Sequence, residues 1–378
     1  MSKRPNNGGS IRQKSDTLWE ARYTVGGKQK SVSASTQAEV QRRLQDVLQQ
    51  IRQDQYCEPS QITLEQWMRQ WWEVYSVPNC RKNTSATTRA AIETHIIPEL
   101  GKIPLQKLRV EKVQAFTNVL NRKNLAPSTI KRIIAVLKMA LKQAVINHLI
   151  IRNPAENVIL PKIKQKEIAF LSQDERRRLL AALPDTDNAR AIRFLLGTGL
   201  RASEMIGLRW KDIDKNSFHI RQAITSYNTF MESKKYAISI DAPKSAASNR
   251  EIPLMPSMLA LLEEQRKKQN ADKEKALAMG IGWKSGDLVF STVEGSPMGI
   301  RNLRRTLVQA LNKAGLPHRG LHALRHTFAT DALQAGMDVR TLSEIIGHTK
   351  IAFTLQTYVH SNVDTKRKAL EAMESAAL

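Results

Sequence analysis

The stretch His322-Ala323-Leu324-Arg325-His326 opens a helix predicted over 323–334 and decides how the rest of the sequence is interpreted. A histidine and an arginine three positions apart are neighbours on one helical face. Such a pair is usually structural when it stands alone. Its meaning therefore depends on the other basic and nucleophilic residues that accompany it along the chain.

Four further features lie in the same half of the chain and contain residues that can act on a phosphate group. Gly199-Leu200-Arg201-Ala202-Ser203-Glu204 places an arginine at a predicted helix start, and an acid three residues later can orient it. Lys244 follows a strand-like run, and Gly347-His348-Thr349 comes shortly before Tyr358. Each feature alone has an ordinary explanation: an ion pair, a solvated turn lysine or a packed tyrosine. Their joint occurrence favours a shared chemical role.

The composition favours a polyanionic partner. The 378 residues include 59 Lys and Arg against 35 Asp and Glu, a net charge of +24. Nucleic acid and an anionic membrane surface are both compatible with this charge. No apolar run reaches the length of about 18 residues that a membrane span needs, and residues 1–10 have no signal-peptide core. We therefore expect nucleic acid to be the partner.

The two cysteines, Cys57 and Cys80, are too few for a disulfide framework or a zinc cluster, which favours a reducing cytosol. The sequence has no GxxxxGK[ST] phosphate loop, no GxSxG motif and no carboxylate cluster typical of a two-metal nuclease. We therefore expect neither a metal nor a cofactor.

The first part of the chain is predicted to hold two different modules. Residues 1–10 are polar and expected to be disordered. Short strands follow over 11–33 with a turn at Gly26-Gly27, and then a helix from about Thr36 to Gln53. After the linker Glu58-Pro59-Ser60, the chain is predicted to be helical to about residue 161. The helices are expected at 67–75, with a Thr63/Gln66 capping box, and at 83–97 (ended by Pro98 and Gly101), 110–120 and 128–147.

The remainder of the chain mixes both kinds of element. After a basic linker over 161–166, a capping box of Ser172 and Glu175 opens a helix predicted to reach about Leu196. Strands are expected at 217–224, 236–240 and 250–253, and helices at 256–278, 301–314, 323–334, 339–346 and 366–373. The predicted fold is therefore multidomain, mainly α with α+β, with domains at 1–58, 62–162 and 168–378. The first is a small β-sheet-plus-helix domain, the second is helical, and the third is mixed α/β.

Two groups of basic residues are candidates for contact with DNA phosphates. Their alternative is an ordinary solvated face, and the sequence leaves both open. The residues are Arg12, Lys14, Arg22, Lys28 and Lys30 in the first module, and Lys131, Lys138 and Lys142 along one side of the helix at 128–147.

The order of these residues along the chain resembles that of the catalytic residues of the tyrosine recombinases, the phage integrase family, at every position. The residues are Arg201, Lys244, His322-x-x-Arg325, His348 and Tyr358. The stretch 84–105 resembles that family's helical core-binding domain, and 197–210, 248–254 and 354–360 resemble its catalytic domain. The N-terminal module resembles the arm-site-binding domains of phage and conjugative-transposon integrases. His348 and Tyr358 are ten residues apart, where many members have nine, which fits the conjugative-transposon branch.

The resemblance implies a site-specific recombinase that cleaves and rejoins DNA through a 3′-phosphotyrosyl intermediate, to integrate or excise a mobile element or prophage. It implies a homotetramer on synapsed duplexes, core and arm attachment sites, accessory bending or excision factors, and a bacterial cytoplasmic, nucleoid-associated location. It assigns the nucleophile to Tyr358, phosphate stabilisation to Arg201, Arg325 and His348, proton acceptance to His322, the general acid to Lys244, and orientation of Arg201 to Glu204.

Two other functions share parts of this pattern. A type IB topoisomerase uses a similar residue set as a monomer that relaxes DNA, and a catalytically silent relative would only bind DNA and regulate. The separate N-terminal module argues against the first, and the complete catalytic set argues against the second. Leu370, Met373 and Ala377 share one predicted helical face, so we expect the tail to dock on a neighbouring subunit; packing on its own domain is the alternative.

Overall fold

The computed structural model describes residues 9–53, 56–163, 169–230, 236–242, 249–284, 286–348 and the single positions 355, 367, 371 and 374. Lys244, Tyr358 and residues 1–8 lie outside the described residues, as does the helix predicted at 366–373 apart from positions 367 and 371. The chain divides into two compact units, residues 1–164 and 165–378. None of the helices in the described ranges combines the length and apolar character needed to cross a bilayer.

The first unit begins with a small sheet covered by one helix, as predicted. Strands β1 (Ser10–Ser15), β2 (Leu18–Val25) and β3 (Lys28–Ala34) are antiparallel in that order, and α1 (Gln37–Arg52) follows. Gly26 and Gly27 both have positive φ, 54° and 76°, which a tight hairpin turn favours. Alternate residues of β2, including Ala21 and Tyr23, form a small core with residues of α1.

The helical part of the first unit is built around its longest helix. It contains α2 (Leu64–Trp71), α3 (Lys82–Ala91), α4 (Ile97–Leu100), α5 (Val110–Arg122) and α6 (Pro127–Ile146). The predicted capping box of Thr63 and Gln66 is present at the start of α2. Trp67 of α2 is buried and donates its indole N–H to the carbonyl of Ala140 in α6, at 2.9 Å. This contact ties α2 to α6 across the core.

The prediction that Pro98 ends the second helix was wrong. A π-helical turn over Ile92–Ile96 connects α3 to α4, and Pro98 lies in the first turn of α4. Proline normally disrupts a helix because it lacks an N–H. In the wider turn the N–H of Ile97 pairs with the carbonyl of Ile92, so the hydrogen-bonding pattern shifts just before the proline. The helical run therefore continues to Leu100.

The second unit combines seven helices and two strand pairs among the described residues. The helices are α7 (Gln173–Ala182), α8 (Asp187–Thr198), α9 (Ala202–Ile206), α10 (Pro256–Ala278), α11 (Ile300–Lys313), α12 (Leu321–Gln334) and α13 (Val339–Ile346). Strand β4 (Ser217–His219) pairs with β7 (Glu251–Pro253), and β5 (Ala223–Asn228) pairs with β6 (Tyr236–Asp241), both antiparallel. Phe194 of α8 packs against Phe218 and Phe290 in the core.

Two predicted elements of this unit are each divided in two. The capping box of Ser172 and Glu175 is present, but the helix it opens ends at Ala182. Pro184 follows, and the Thr186 side chain caps the start of α8 by accepting from the N–H of Ala189. The strand predicted over 217–224 is two strands, β4 and β5, which pair with different partners. In the first case Pro184 and the capping residue Thr186 mark the break in the sequence, and the prediction extended the helix past them. In the second case the apolar residues Phe218, Ile220 and Ile224 keep an alternating pattern across the break.

We predict that Leu137→Ala destabilises the helical part of the first unit by about 2–5 kcal/mol, because it leaves a cavity. Leu137 of α6 is 0% exposed. Met139→Ala on the same helix is the matched control; Met139 is 52% exposed, and its substitution should change stability by less than about 0.5 kcal/mol. Urea unfolding followed by tryptophan fluorescence measures both. Equal effects of the two substitutions would contradict the packing described for α6.

Candidate active site

Arg201 lies in the junction between α8 and α9. Helix α8 ends at Gly199 in the left-handed conformation, with φ of 65°, and Arg201 is the residue before the first turn of α9. The Arg201 guanidinium donates to Glu204 Oε1 at 2.8 Å, and its backbone N–H donates to Glu204 Oε2 at 3.0 Å. The acid three residues later thus makes the contacts that an orienting role requires.

Helix α12 carries His322 and Arg325 one turn apart. Arg325 is 1% exposed, and its Nη1 donates to the carbonyl of Gly199 at 3.0 Å. A Cβ atom at position 199 would lie only 2.3 Å from Cδ1 of Phe328 in α12. The glycine therefore serves two purposes: it adopts a positive φ, and it lets α12 approach closely enough for Arg325 to reach the end of α8.

His348 is placed by the end of α13. Gly347 has a left-handed conformation with φ of 68°, and its N–H donates to the carbonyl of Glu344. The N–H of His348 donates to the carbonyl of Ser343 at 3.0 Å. This pair of bonds forms a Schellman motif, which satisfies helix-end carbonyls and fixes the direction in which the chain leaves the helix.

The end of α13 is also the point where the arginines meet. Arg201 Nη2 donates to the carbonyl of Gly347 at 3.3 Å, and Arg325 Nη2 donates to that of Ile346 at 2.5 Å. The structure thus brings Arg201, Glu204, His322, Arg325 and His348 together from α9, α12 and the end of α13. The two remaining predicted catalytic residues, Lys244 and Tyr358, lie outside the described residues.

The two histidines are held neutral. Burial lowers the pKa of His322, and the positive charges of Arg325 and Arg201 lower it further. Burial is the main cause that lowers the pKa of His348 to about 4, and the positive charges of Arg325 and Arg201 contribute next. At neutral pH each ring therefore carries a proton on one nitrogen only, and the other nitrogen is an acceptor. A neutral imidazole can take up a proton or donate a hydrogen bond.

Glu204 stays ionised despite its burial. Burial alone would raise the pKa of its carboxyl group, but Arg250 and Arg201 outweigh that effect and hold the pKa below its ordinary value. Arg250 donates to Glu204 Oε2 at 3.0 Å. Glu204 is thus a buried carboxylate shared between two arginines.

Arg250 and His326 contact this group but are not among the residues predicted from the sequence. The His326 ring lies edge-to-face on that of His322, with centroids 4.7 Å apart. Burial, followed by the neighbouring His322, lowers the pKa of His326 to about 4. Its i, i+4 relation to His322 was the available signal. For Arg250 the only signal was that residues 248–254 resemble part of the catalytic domain of the tyrosine recombinases.

The basic residues predicted to contact DNA are distributed over several surfaces. Arg12 and Arg22 lie on the sheet face opposite α1, where both pair with Glu20. Lys28 and Lys30 are on the α1 side according to the strand register, and Lys30 pairs with Glu58.

The remaining predicted lysines lie on other parts of the described surface. Lys14, Lys131 and Lys142 are exposed, and Lys138 pairs with Glu156 at 2.8 Å. For all eight basic residues, contact with DNA stays a prediction.

The described residues contain no group of three or more His, Cys, Asp or Glu side chains arranged to hold a metal ion. What they do contain is a partly buried cluster of arginines and neutral histidines, which is an arrangement suited to a phosphate group.

Two family models match the chain. Residues 169–365 match the phage integrase family, and residues 63–121 match the phage integrase N-terminal SAM-like domain. The first match alone covers more than half of the chain. The chain therefore belongs to the phage integrase family of tyrosine recombinases, enzymes that break and rejoin DNA at specific sites. This confirms the resemblance predicted from the sequence.

Similar proteins cover most of the chain. A tyrosine recombinase XerC-like protein of Caldanaerobacter subterraneus subsp. tengcongensis is 28% identical over 91% of this chain and 91% of its own length. The transposase from transposon Tn916 of Enterococcus faecalis is 25% identical over 76% of this chain and 72% of its own. The solved structure of the Tn1549 transposon integrase has a TM-score of 0.68 and 24% identity, covering 82% of this chain and 99% of that one. It confirms the fold.

We predict that acidification destabilises the second unit. The pKa of His326 and of His348 is about 4, against an ordinary value of 6.5. Between these values the unfolded chain binds more protons, so the stability that the neutral rings provide is complete above pH 6.5 and is lost as the pH falls towards 4. Urea unfolding across this range measures the loss, and His326→Gln should reduce it. Identical pH dependence in both proteins would contradict this account.

Proposed function

We propose that Arg201, His322, Arg325 and His348 form the phosphate-binding and proton-transfer part of a recombinase active site, and that Tyr358 is its nucleophile. The observation that supports this most directly is the convergence of two arginines and two neutral histidines around the end of α13. Family membership supplies the reaction: cleavage and rejoining of DNA through a 3′-phosphotyrosyl intermediate.

The reaction explains why these residue types are needed. Attack by the Tyr358 hydroxyl on phosphorus forms the phosphotyrosine bond and releases the 5′ oxygen of the next nucleotide. Because the new bond keeps the energy of the broken one, a second DNA hydroxyl can reverse the step. Arg201 and Arg325 neutralise the negative charge that gathers on the non-bridging oxygens, and their guanidinium groups remain charged throughout.

The proton steps fall to the other basic residues. His322, held neutral by burial and the nearby arginines, is suited to take the proton from Tyr358. His348, also neutral, would donate a hydrogen bond to the phosphate. Lys244 is proposed as the general acid that protonates the leaving 5′ oxygen. Glu204 would act through its hydrogen bonds to Arg201.

We further propose that the chain acts as an integrase of a mobile element, with domains at 1–58, 62–162 and 168–378. The Tn1549 integrase was solved in complex with a circular intermediate DNA, and its fold resembles this one. The similarity to the Tn916 transposase supports the same branch. The domain at 1–58 would bind arm sites, and the other two would bind core sites.

The surface positions suggest which basic residues reach DNA. Arg12 and Arg22 lie on the open face of the N-terminal sheet, and Lys131 and Lys142 are exposed on α6. Contacts of this kind act on phosphates and weaken as salt increases. Lys14, Lys28, Lys30 and Lys138 complete the proposed set.

Strand exchange between two duplexes needs four protomers, so we propose a homotetramer on synapsed DNA in the bacterial cytoplasm, assisted by accessory bending or excision factors. The tail beyond residue 365 would dock on a neighbouring subunit. Apart from positions 367, 371 and 374, that tail lies outside the described residues, so its docking is proposed from the sequence pattern alone.

A plasmid assay distinguishes recombination from relaxation. A supercoiled plasmid carries two copies of the DNA that flanks the gene for this chain. A recombinase should give excision circles of defined size, whereas a type IB topoisomerase gives relaxed plasmid without exchange. Quenching with SDS traps the covalent adduct and maps the cut position. Relaxation without excision products would overturn the proposal.

We predict that Tyr358→Phe abolishes the covalent adduct, because the ring then has no oxygen to attack phosphorus. The substrate is a duplex that contains the cut position mapped in the plasmid assay and carries a nick beside it. After cleavage the short released fragment diffuses away, so the adduct accumulates and is detected by denaturing electrophoresis. DNA affinity should remain within about twofold, since one hydroxyl contributes little to a binding surface dominated by phosphate contacts. An adduct formed by this variant would show that another residue is the nucleophile.

A further inference from the structure

The last turn of α13 is bound by three arginines from three separate parts of the second unit. The carbonyl of Ile345 accepts from Arg250 Nε at 2.5 Å. The carbonyls of Ile346 and Gly347 accept from Arg325 and Arg201, at 2.5 and 3.3 Å. Two of these arginines belong to the proposed catalytic set. Arg250 has no role in the chemistry described above.

The arginines bind here because the C-terminal end of a helix exposes carbonyl groups that can accept hydrogen bonds. The last carbonyls of a helix have no partner within it, and together they form the negative end of the helix dipole. Arginine is suited to such a position, because its planar group presents several N–H donors in fixed directions. The direction in which the chain leaves α13 towards His348 is therefore set by these contacts as well as by Gly347.

Arg250 binds the other part of the site with the opposite edge of its guanidinium group. Nη2 donates to Glu204 Oε2 at 3.0 Å, and Nη1 lies 3.4 Å from Oε1. Both side chains are buried, with 7% exposure for Arg250 and 6% for Glu204. The Arg250 backbone is anchored as well, since its carbonyl accepts from the N–H of Ile220 at 2.9 Å.

We propose that Arg250 is a positioning residue of the active site, which fixes Glu204 and the last turn of α13 relative to one another. Through Glu204 it sets the direction of the Arg201 side chain. Through Ile345 it sets the position of the turn that carries His348. Its effect on catalysis rests on the proposed function, whereas its effect on the end of α13 does not.

The charge of Arg250 is needed as well as its shape. Among the described residues, Glu204 is buried and faces two cations, Arg250 and Arg201. Arg325, His322 and His348 also lie near Arg201. Without Arg250, burial acts on Glu204 against a single cation, and the pKa of Glu204 rises. A protonated Glu204 binds Arg201 less firmly, so cleavage by an Arg250 variant should become more sensitive to acid.

A matched control exists in the same unit. Arg209 binds the buried Asp212 with two donors, at 2.7 and 3.2 Å, and Asp212 keeps a second partner, Arg221. Arg209→Met therefore removes the same kind of ion pair as Arg250→Met, and in both cases leaves the carboxylate one arginine. Arg209 is somewhat more exposed than Arg250, 24% against 7%, and it does not share Arg250's contacts with α13 and with the carboxylate that binds Arg201.

The first experiment measures structure and does not depend on activity. Hydrogen exchange of the full chain is followed at the amides of Gly347 and His348. Arg250→Met should accelerate exchange there by about tenfold or more, the effect of losing a charge-assisted hydrogen bond that holds the turn. Arg209→Met should leave it unchanged. Equal exchange at these amides in Arg250→Met and the unsubstituted protein would overturn the proposal.

The second experiment measures the rate of single-turnover cleavage of the same nicked duplex that tests Tyr358→Phe. Arg250→Met should slow cleavage by about 100-fold, the effect of a misplacement of about 1 Å, with unchanged DNA affinity and a steeper decline at acid pH. Arg250→Lys, which keeps the charge, should retain the pH profile of the unsubstituted protein and part of the rate. Arg209→Met should cleave normally.

A double-substitution cycle tests whether Arg250 acts through Glu204. Glu204→Gln combined with Arg250→Met should be little slower than the slower single variant, because the two residues belong to one network. Fully additive losses, or a cleavage rate and pH profile in Arg250→Met that match Arg209→Met, would overturn the catalytic part of the proposal. If the unsubstituted protein forms no adduct, the proposed function fails, and the exchange experiment still decides the role of Arg250.

Discussion

Burying an arginine is unfavourable unless its N–H groups find acceptors and its charge finds a partner, and the whole site depends on meeting that requirement. Arg325 is almost completely buried, and Arg250 nearly so. The acceptors are the carbonyls at the ends of α8 and α13 and one buried carboxylate, Glu204. The helix ends provide partial negative charge at fixed positions, so the arginines are directed as well as stabilised.

This requirement explains why two glycines stand where they do. Gly199 and Gly347 end α8 and α13 in left-handed conformations, and each presents its carbonyl to one of the proposed catalytic arginines. At Gly199 a side chain would also collide with Phe328 and move α12 away. The site is therefore assembled from helix ends, which a rigid core of aromatic and aliphatic side chains holds in place.

Much of the site could be predicted from the sequence because its signals are local. Arg201 with Glu204, and His322 with Arg325, are three residues apart, and their family-like order relates them to each other. Arg250 could not be predicted in the same way. Two of its partners, Glu204 and Ile345, are 46 and 95 residues distant, and only the folded chain shows that they meet.

In the fold, too, the features with local sequence signals were the ones predicted correctly. Capping boxes at Thr63 and Ser172 and the apolar periodicity of α6 are local, and the structure confirms them. One error lies where a local signal competes with a wider context, at the π-helical turn before Pro98. Another lies at the break after Ala182, where the prediction followed the apolar residues on both sides and passed over Pro184 and Thr186. Periodicity reports which residues are buried, but it does not report where one buried element ends and the next begins.

The central claim is that the arginine and histidine cluster serves an attack on DNA by one tyrosine. The most direct measurement is to trap the covalent complex, digest both the DNA and the protein, and identify the nucleotide-bearing peptide by mass spectrometry. We expect a single modified residue, Tyr358, with the nucleotide attached through its 3′ phosphate. Attachment to a different residue, or through a 5′ phosphate, would contradict it.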